Sequence, residues 1–356
     1  MIDVVLLTAP PPHGEITGGH RYNSAIAERA GRNGARMRVI ALSGHTLAHR
    51  ALAARRAFRE SRRADAVVID SIVGDAVALA GKTDLRLIGL AHQVASAGHP
   101  GPFGRVGQAL HRAAYRRCAL VIAVSDWVAA ELGTIGVAHT VVHPGVDKPP
   151  ILEPRNVHGP AVVLCVANWL AHKGILDLAE ALSLLPADAA TLHLVGAPHL
   201  DTRYGRRVAA RIAREDLRAR VISRGTLGRN EVAGEFAAAD IFALPSRDEA
   251  YGIAFAEALA SGLPVVGYRS GNAPALVGDG GILVDPGDIE GLAQALHLLA
   301  LDPKRRLSIA AAARRRAATL STWDQSASAF FAAVRGGMRR ASSIGHDERD
   351  RTASSA

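Results

Sequence analysis

Short apolar runs alternate with longer segments of helical periodicity along nearly the whole chain. Runs such as 3–9, 66–70 and 120–124 are almost entirely aliphatic, which is typical of strands buried on both faces of a parallel sheet. The segments between them repeat apolar residues at helical spacing. Six strand candidates fall before residue 143 and six after residue 160. The pattern therefore predicts an α/β protein with two parallel sheets.

A proline-rich stretch divides the two series of strands. Residues 148–160 contain four prolines and little periodicity, which is typical of a linker. We therefore expect an N-terminal domain over 1–148, a linker over 149–160 and a C-terminal domain over 161–320. A further helix is predicted over 321–335, packed back on the first domain. Residues 336–356 are polar and without periodicity, so a disordered tail is predicted there.

Cysteine usage and the absence of long apolar runs narrow the class of protein. Cys118 and Cys165 lie in apolar segments without metal-ligand spacing, so neither a disulfide nor a cysteine–zinc site is expected. The N-terminus lacks the basic region of a signal peptide. No uncharged apolar run reaches the roughly 18 residues of a membrane span. These features predict a cytoplasmic location.

The net charge of +9 is unevenly distributed. Residues 1–150 hold 18 basic and 11 acidic residues, whereas the remainder holds 24 and 22. A predicted helix in the first half carries six arginines, namely Arg50, Arg55, Arg56, Arg59, Arg62 and Arg63. They form either a solvated face in an arginine-biased sequence or a surface for an anionic acceptor or the inner face of the plasma membrane. Aromatic residues make up only 4%, which disfavours single-stranded nucleic acid as a partner.

The most informative stretch is PSRDEAYGIAFAEALASGLPVV, residues 245–266. Glu249 and Glu257 are eight residues apart, about 12 Å along a helix axis if both are helical. That exceeds the roughly 5–9.5 Å between the carboxylates of glycoside hydrolases, so the pair better suits one long ligand held at two points. Gly252 and Ile253 would open the helix, and its free N–H groups would suit phosphate oxygens.

This stretch resembles the E-x7-E signature of glycosyltransferase family 4, retaining enzymes of the GT-B fold. It keeps each fixed position of that signature from Pro245 to Val265, and the segment VANWLAHKG at 166–174 is similar to the family's entry to the second domain. The resemblance implies two Rossmann-like domains with a cleft between them. It implies a hexosyltransferase that moves a sugar from a nucleotide-diphosphate sugar to an acceptor hydroxyl, with the anomeric configuration retained.

The resemblance also implies roles for residues of the second domain. Glu249 would hydrogen-bond the donor sugar, and Glu257 would accept from the nucleotide ribose. Lys173 would neutralise the diphosphate as it leaves. The backbone amides of Gly252 and Ile253 would hold the diphosphate or the sugar.

In the first domain, Gly18 and Gly19 would allow close approach of the backbone to the phosphates. His92 matches the family's active-site histidine near the sugar, although a structural histidine at a strand end is the alternative. The resemblance implies no metal and no cofactor beyond the donor substrate. The expected partners are the nucleotide sugar and a carbohydrate, lipid-linked or small-molecule acceptor.

Two positions depart from the family pattern. Asn168 stands where relatives carry an arginine that clasps the diphosphate. As a donor-binding residue it can donate hydrogen bonds but supplies no charge, and Arg224 and Arg247 are the candidates to replace that charge. Ala275 stands where relatives carry a glutamate after proline. These departures keep two alternatives open: a GT-B protein with weak or lost turnover that binds nucleotide sugars, and a nucleotide-sugar epimerase.

Overall fold

A computed structural model describes residues 1–11, 17–93, 102–148 and 159–353. The chain divides into two compact units. Unit 1 combines Met1–Gly145 with Ser321–Ala356, and unit 2 comprises Val146–Leu320. Residues 149–158 of the predicted linker lie outside the described residues.

Unit 1 is built on six strands with helices between them. The strands are β1 (Ile2–Thr8), β2 (Ala35–Ala41), β3 (Ala66–Asp70), β4 (Leu87–Ala91), β5 (Leu120–Ala123) and β6 (His139–Val141). The helices are α1 (Gly18–Glu28), α2 (Leu47–Glu60), α3 (Gly74–Leu79), α4 (Pro102–Arg116) and α5 (Asp126–Thr134).

The six strands form one parallel sheet in the order β2-β1-β3-β4-β5-β6. The chain runs outward from β1 to β2 and then returns to β3 on the other side of β1. The order of strands therefore reverses between β1 and β3, where α/β sheets place their ligands at the carboxyl ends. Thr8 and Asp70 are the last residues of these two strands and are both buried.

Unit 2 repeats this architecture. Its strands are β7 (Ala161–Val166), β8 (Ala190–Val195), β9 (Val221–Gly225), β10 (Ile241–Leu244), β11 (Val265–Tyr268) and β12 (Gly281–Val284). Its helices are α6 (Ile175–Ser183), α7 (Arg203–Ile212), α8 (Arg229–Ala238), α9 (Ile253–Ala260), α10 (Ala273–Val277), α11 (Ile289–Leu301) and α12 (Pro303–Ala318).

The strands of unit 2 are parallel and follow the order β12-β11-β10-β7-β8-β9. Here the reversal falls between β7 and β10. The loops that leave these two strands therefore start side by side at the carboxyl edge of the sheet. The predicted α/β class with two Rossmann-like parallel sheets is confirmed within the described residues.

The last helix, α13 (Trp323–Ala353), belongs to unit 1. Phe330 and Phe331 are fully buried, and Ser326 donates from its hydroxyl to the carbonyl of His143 at 2.7 Å. The helix continues to residue 353, through most of the region for which a disordered tail was predicted. Gly337 lies in the part of the helix beyond residue 335, and the absence of a side chain lets the helix pack closely on Ile88 and Leu120 of the sheet.

Candidate functional site

The loops after β7 and β10 bring Lys173 and Glu249 together. The Lys173 ammonium donates to the Glu249 carboxylate, with Nζ and Oε2 3.0 Å apart. The two side chains are 23% and 12% exposed, so the pair is largely covered but still in contact with solvent. The residues are 76 positions apart in sequence. The reversal of strand order between β7 and β10 is what places them in contact.

Backbone hydrogen bonds hold the Glu249 loop in place. The amide of Asn272 donates to the Glu249 carbonyl at 2.8 Å, and the Asn272 side chain donates to the Tyr251 carbonyl at 3.0 Å. On the other side, the amide of Arg247 donates to the His172 carbonyl at 2.7 Å. The loop is thus tied to the segment after β11 and to the turn that carries Lys173.

Gly174 lets the Lys173 turn pack directly on the loop after β10. Its φ is +68°, a left-handed conformation that favours glycine. A Cβ at this position would collide with the carbonyl oxygen of Pro245. Glycine is therefore required both by backbone conformation and by the close approach of the two loops.

Helix α9 begins at Ile253 and is preceded by Gly252 with a φ of +99°, as predicted. The Gly252 Cα lies against the side chains of Phe255 and Leu276, where an added Cβ would come within 2.9 Å. Glu249 precedes the helix, whereas Glu257 lies inside it and is half-buried. The spacing of the two glutamates is therefore not a helical rise, and the 12 Å estimate does not apply.

The charges around Lys173 affect its neighbour His172. Burial lowers the pKa of His172, and the Lys173 ammonium lowers it further. Glu249 and Asp248 act in the opposite direction. The neutral form of His172 is therefore favoured, and the positive charge that pairs with Glu249 comes from Lys173.

Both arginines considered as substitutes for the charge missing at position 168 form ion pairs with carboxylates. Arg224 pairs with Glu235 at 2.7 Å, and Arg247 pairs with Asp177 at 2.6 Å. Asn168 itself accepts a hydrogen bond on Oδ1 from the amide of Ala197 at 3.0 Å. Each of these arginines thus already shares its charge with a carboxylate, so neither is an uncompensated replacement for the arginine that position 168 lacks.

A second group of polar side chains lies in unit 1, where the strand order reverses between β1 and β3. His92 follows β4, and its Nε2 lies 3.1 Å from Oδ1 of Asn23 on α1. The Asn23 amide nitrogen reaches Oδ2 of Asp70 at 2.7 Å. Gly19, in the first turn of α1, lies against the His92 ring, with 3.1 Å between an ideal Cβ and Cδ2. Gly18 is the exposed first residue of that helix.

Sequence reasoning missed Asp70 and Asn23. The signal for Asp70 was present, because a carboxylate ends the otherwise aliphatic strand AVVID. A fully buried charge of this kind requires hydrogen-bond partners. Asn23 carries no comparable signal, since its neighbours in α1 show only ordinary helical periodicity.

The six arginines identified in the sequence lie on α2 or just after it. Arg50 pairs with Asp75 at 3.3 Å, and Arg55 donates to the carbonyl of Ala80 at 3.0 Å. The other four are exposed and form no ion pair within the described residues: Arg56, Arg59, Arg62 and Arg63. Four unneutralised cations thus share one surface, which we call the arginine face.

The described residues contain neither a membrane-spanning helix nor a cluster of metal-ligating side chains. None of the helices there combines the length and hydropathy needed to cross a bilayer. No group of three or more histidine, cysteine, aspartate or glutamate side chains among these residues is placed to hold a metal ion.

The chain is similar to characterised proteins in sequence and in structure. A mannosyltransferase from Mycolicibacterium smegmatis, described as GDP-mannose-dependent alpha-(1-6)-phosphatidylinositol monomannoside mannosyltransferase, is 34% identical over 175 residues, which is 46% of this chain and 44% of that protein. The chain spans less than half the length of the curated relatives it matches most strongly.

Two solved structures share the fold over nearly the whole chain. Sucrose-phosphate synthase from Thermosynechococcus elongatus superimposes with a TM-score of 0.79 at 18% identity, covering 99% of this chain and 100% of that one. Anabaena Alr3699/HepE, solved with UDP and glucose, gives 0.77 at 21% identity, covering 94% and 100%.

Family models match both units. Residues 3–148 match the model described as Glycosyltransferase Family 4, and residues 150–316 match the model described as Glycosyl transferases group 1. Between them the two matches extend over nearly all of both sheets. On this combined match the chain belongs to glycosyltransferase family 4.

Proposed function

We propose that this protein is a retaining glycosyltransferase that takes its sugar from a nucleotide-diphosphate sugar. Unit 2 binds the donor, and unit 1 contributes the acceptor side. The observation that carries the proposal is the contact between Lys173 and Glu249 beside the start of α9. A cation, a carboxylate and free helical amides then face one ligand that has both phosphates and hydroxyls.

Each group suits a different part of such a donor. Lys173 neutralises charge on the diphosphate, aided by the amides of Gly252 and Ile253. Glu249 accepts hydrogen bonds from sugar hydroxyls, and Glu257 accepts from the ribose. His92 in unit 1 accepts a hydrogen bond from a reacting hydroxyl. The M. smegmatis relative is named for a GDP-sugar donor, and the Anabaena structure contains UDP, which supports a nucleotide-linked donor.

The proposed reaction exchanges one C–O bond for another. The bond between the sugar C1 and the diphosphate oxygen breaks, and the diphosphate leaves with the electron pair. The acceptor hydroxyl oxygen bonds to C1 on the same face, and its proton passes to the departing diphosphate. Lys173 acts where negative charge develops, which is where a fixed cation accelerates the step most.

The proposal is tested with a panel of UDP-, GDP- and ADP-sugars and candidate acceptors, including inositol phosphates and lipid-linked sugars. We expect one donor to release nucleotide diphosphate in an acceptor-dependent manner, and NMR of the product to show the donor's anomeric configuration. Activity should persist in EDTA, because we propose no metal. An inverted product would contradict the retaining mechanism, and silence with every donor would contradict the transferase.

One observation favours a second candidate, a nucleotide-sugar binding protein without turnover. Arg224 and Arg247 each share their charge with a carboxylate, Glu235 and Asp177, so neither is an uncompensated second cation beside Lys173. Leaving-group stabilisation is then weaker than in relatives with an arginine at position 168. Calorimetric binding of a nucleotide sugar without release of its nucleotide diphosphate in any acceptor mixture would favour this candidate.

We further propose that the arginine face docks on an anionic membrane surface at the inner side of the plasma membrane. Its four arginines are exposed and unneutralised, and each basic residue near an anionic surface contributes about 1 kcal/mol. The M. smegmatis relative is named for a phosphatidylinositol-based acceptor, which is itself a membrane lipid. The acceptor would then be lipid-linked or anionic.

Replacing Arg56, Arg59, Arg62 and Arg63 with serine should weaken binding to phosphatidylglycerol-containing vesicles at least 100-fold at low salt. Flotation with vesicles of 30% phosphatidylglycerol, against pure phosphatidylcholine, measures the change. The matched control replaces four exposed arginines of unit 2, namely Arg203, Arg207, Arg214 and Arg218. An equal loss in the control, or no binding by the unmodified protein, would refute docking through the arginine face.

A further inference from the structure

The polar group at the carboxyl ends of β1 and β3 is centred on a buried carboxylate. Asp70 is fully buried, yet its two oxygens accept four hydrogen bonds. Oδ2 accepts from the Thr8 hydroxyl at 2.8 Å and from the Asn23 amide nitrogen at 2.7 Å. Oδ1 accepts from the amide of Ile72 at 3.0 Å and from the Ser71 hydroxyl at 3.3 Å. The carboxylate therefore has a fixed orientation.

This orientation determines which way the Asn23 amide faces. A carboxylate can only accept hydrogen bonds, so Asn23 must turn its NH2 group to Asp70. Its Oδ1 then lies on the opposite side, 3.1 Å from Nε2 of His92. Because an amide oxygen can only accept, the hydrogen in this contact must belong to Nε2.

We propose that Asn23 is a positioning residue that fixes His92 as its Nε2–H tautomer and leaves Nδ1 as an acceptor. Within the described residues, Nδ1 takes part in no hydrogen bond. The His92 side chain is 12% exposed, so a ligand can reach the ring although most of it is covered. The hydrogen bonds from Asn23 to Asp70 and from His92 to Asn23 thus determine that Nδ1 of His92 accepts, rather than donates, a hydrogen bond from a ligand.

Packing holds the ring in the same orientation. Gly19 lies against the ring edge, and the Tyr22 ring meets it edge-on with centroids 5.2 Å apart. The backbone amide of His92 donates to the Ser71 hydroxyl at 3.3 Å. A side chain at position 19 would press on Cδ2, so the glycine serves the histidine as well as the loop that precedes it.

The neutral ring that a tautomer requires is also favoured. Burial lowers the pKa of His92 below its ordinary value. The Asp70 carboxylate, 3.8 Å from Nε2, opposes this shift, and His20 on α1 supports it. Within the described residues, the Tyr22 ring also packs against His92, and burial raises the pKa of Tyr22, so it stays uncharged. His92 is therefore neutral at pH 7.

The consequence for catalysis depends on the proposed transfer reaction. A neutral His92 with a free Nδ1 lone pair accepts a hydrogen bond from a hydroxyl of the sugar or of the acceptor. The opposite tautomer would present a donor there and would repel the hydrogen of that hydroxyl. Asn23 would thus affect the chemical step without touching the donor nucleotide.

The tautomer is measured directly by 15N–1H NMR of the imidazole groups, with His92→Gln identifying the signal. We expect the unmodified protein to show His92 protonated on Nε2, with a slowly exchanging Nε2–H proton. Asn23→Leu removes the acceptor and should accelerate exchange of that proton at least tenfold. Thr8→Val is the matched control, because it removes another donor to the same Asp70 oxygen without contacting His92, and exchange should stay within about twofold.

Protonation of His92 on Nδ1 in the unmodified protein would overturn the proposal, whether or not Asn23→Leu folds. An unchanged exchange rate in a folded Asn23→Leu variant would overturn it too. In the transfer assay, Asn23→Leu should lower kcat roughly 10- to 100-fold and leave the donor KM unchanged. If no donor is turned over by the unmodified protein, the proposed function fails while the NMR result still decides the tautomer.

Discussion

Replacing Glu249 with glutamine is expected to lower the rate of sugar transfer roughly 100- to 1,000-fold. The substitution keeps the size of the side chain but removes the charge that pairs with Lys173 at 3.0 Å. A glutamine amide carries no charge and has one accepting oxygen instead of two, so it holds Lys173 and the sugar hydroxyls more weakly than a carboxylate does. Initial rates of nucleotide diphosphate release at saturating donor measure the effect.

Asp248→Asn provides the matched control for this prediction. It removes the same charge one residue earlier, from an exposed side chain that makes no hydrogen bond within the described residues. We expect its rate to stay within about threefold of the unmodified protein. If Glu249→Gln retains full activity, or if both variants lose activity equally, Glu249 does not hold the sugar.

Replacing Gly174 with alanine is expected to lower the free energy of unfolding by about 2–5 kcal/mol. The left-handed backbone costs a non-glycine residue about 1–2 kcal/mol, and forcing a methyl group into a packed site adds about 1–3 kcal/mol. Here the methyl group would meet the Pro245 carbonyl oxygen. Urea denaturation followed by circular dichroism measures the loss.

Gly225 separates the two contributions, because its φ of +66° nearly equals that of Gly174 and no atom lies within 4 Å of its ideal Cβ. Gly225→Ala should therefore cost only the backbone term of about 1–2 kcal/mol. Gly174→Ala should also weaken donor binding, since the displaced turn carries Lys173. Equal losses of stability in the two variants would show that the contact with Pro245 tolerates a side chain.

Strands and helix starts that depend on local residue patterns could be predicted from the sequence. Residues 66–70 are predicted as a strand and form β3 with the same bounds. The prediction succeeds because a short run of aliphatic residues is a local signal that does not depend on distant parts of the chain. The start of α9 at Ile253 was equally predictable, since the Gly252 conformation is a local requirement. The continuation of α13 beyond residue 335 was not predicted. It depends on the packing of Gly337 against Ile88, in a sheet formed by residues more than 200 positions earlier.

The contacts within the two sites, by contrast, could not be predicted from the sequence. The family resemblance identified Lys173 and Glu249 one by one, yet their ion pair joins residues 76 positions apart. Arg247 was a reasonable substitute for the charge missing at position 168, but its partner Asp177 lies 70 positions away and holds it. Asn23 was invisible in sequence, because its role arises only from contacts with Asp70, at the end of β3, and His92, just after β4.

The sequence by itself determined the α/β class, the division into two similar halves and the family, because apolar periodicity and the E-x7-E signature are local properties of the chain. Only the tertiary structure decided which side chains share a site. Strand order reverses between β1 and β3 and again between β7 and β10, and the carboxyl ends that meet there select Asp70 with Asn23 and Lys173 with Glu249. Such pairing is set by long-range packing of the sheets, which no short stretch of residues encodes.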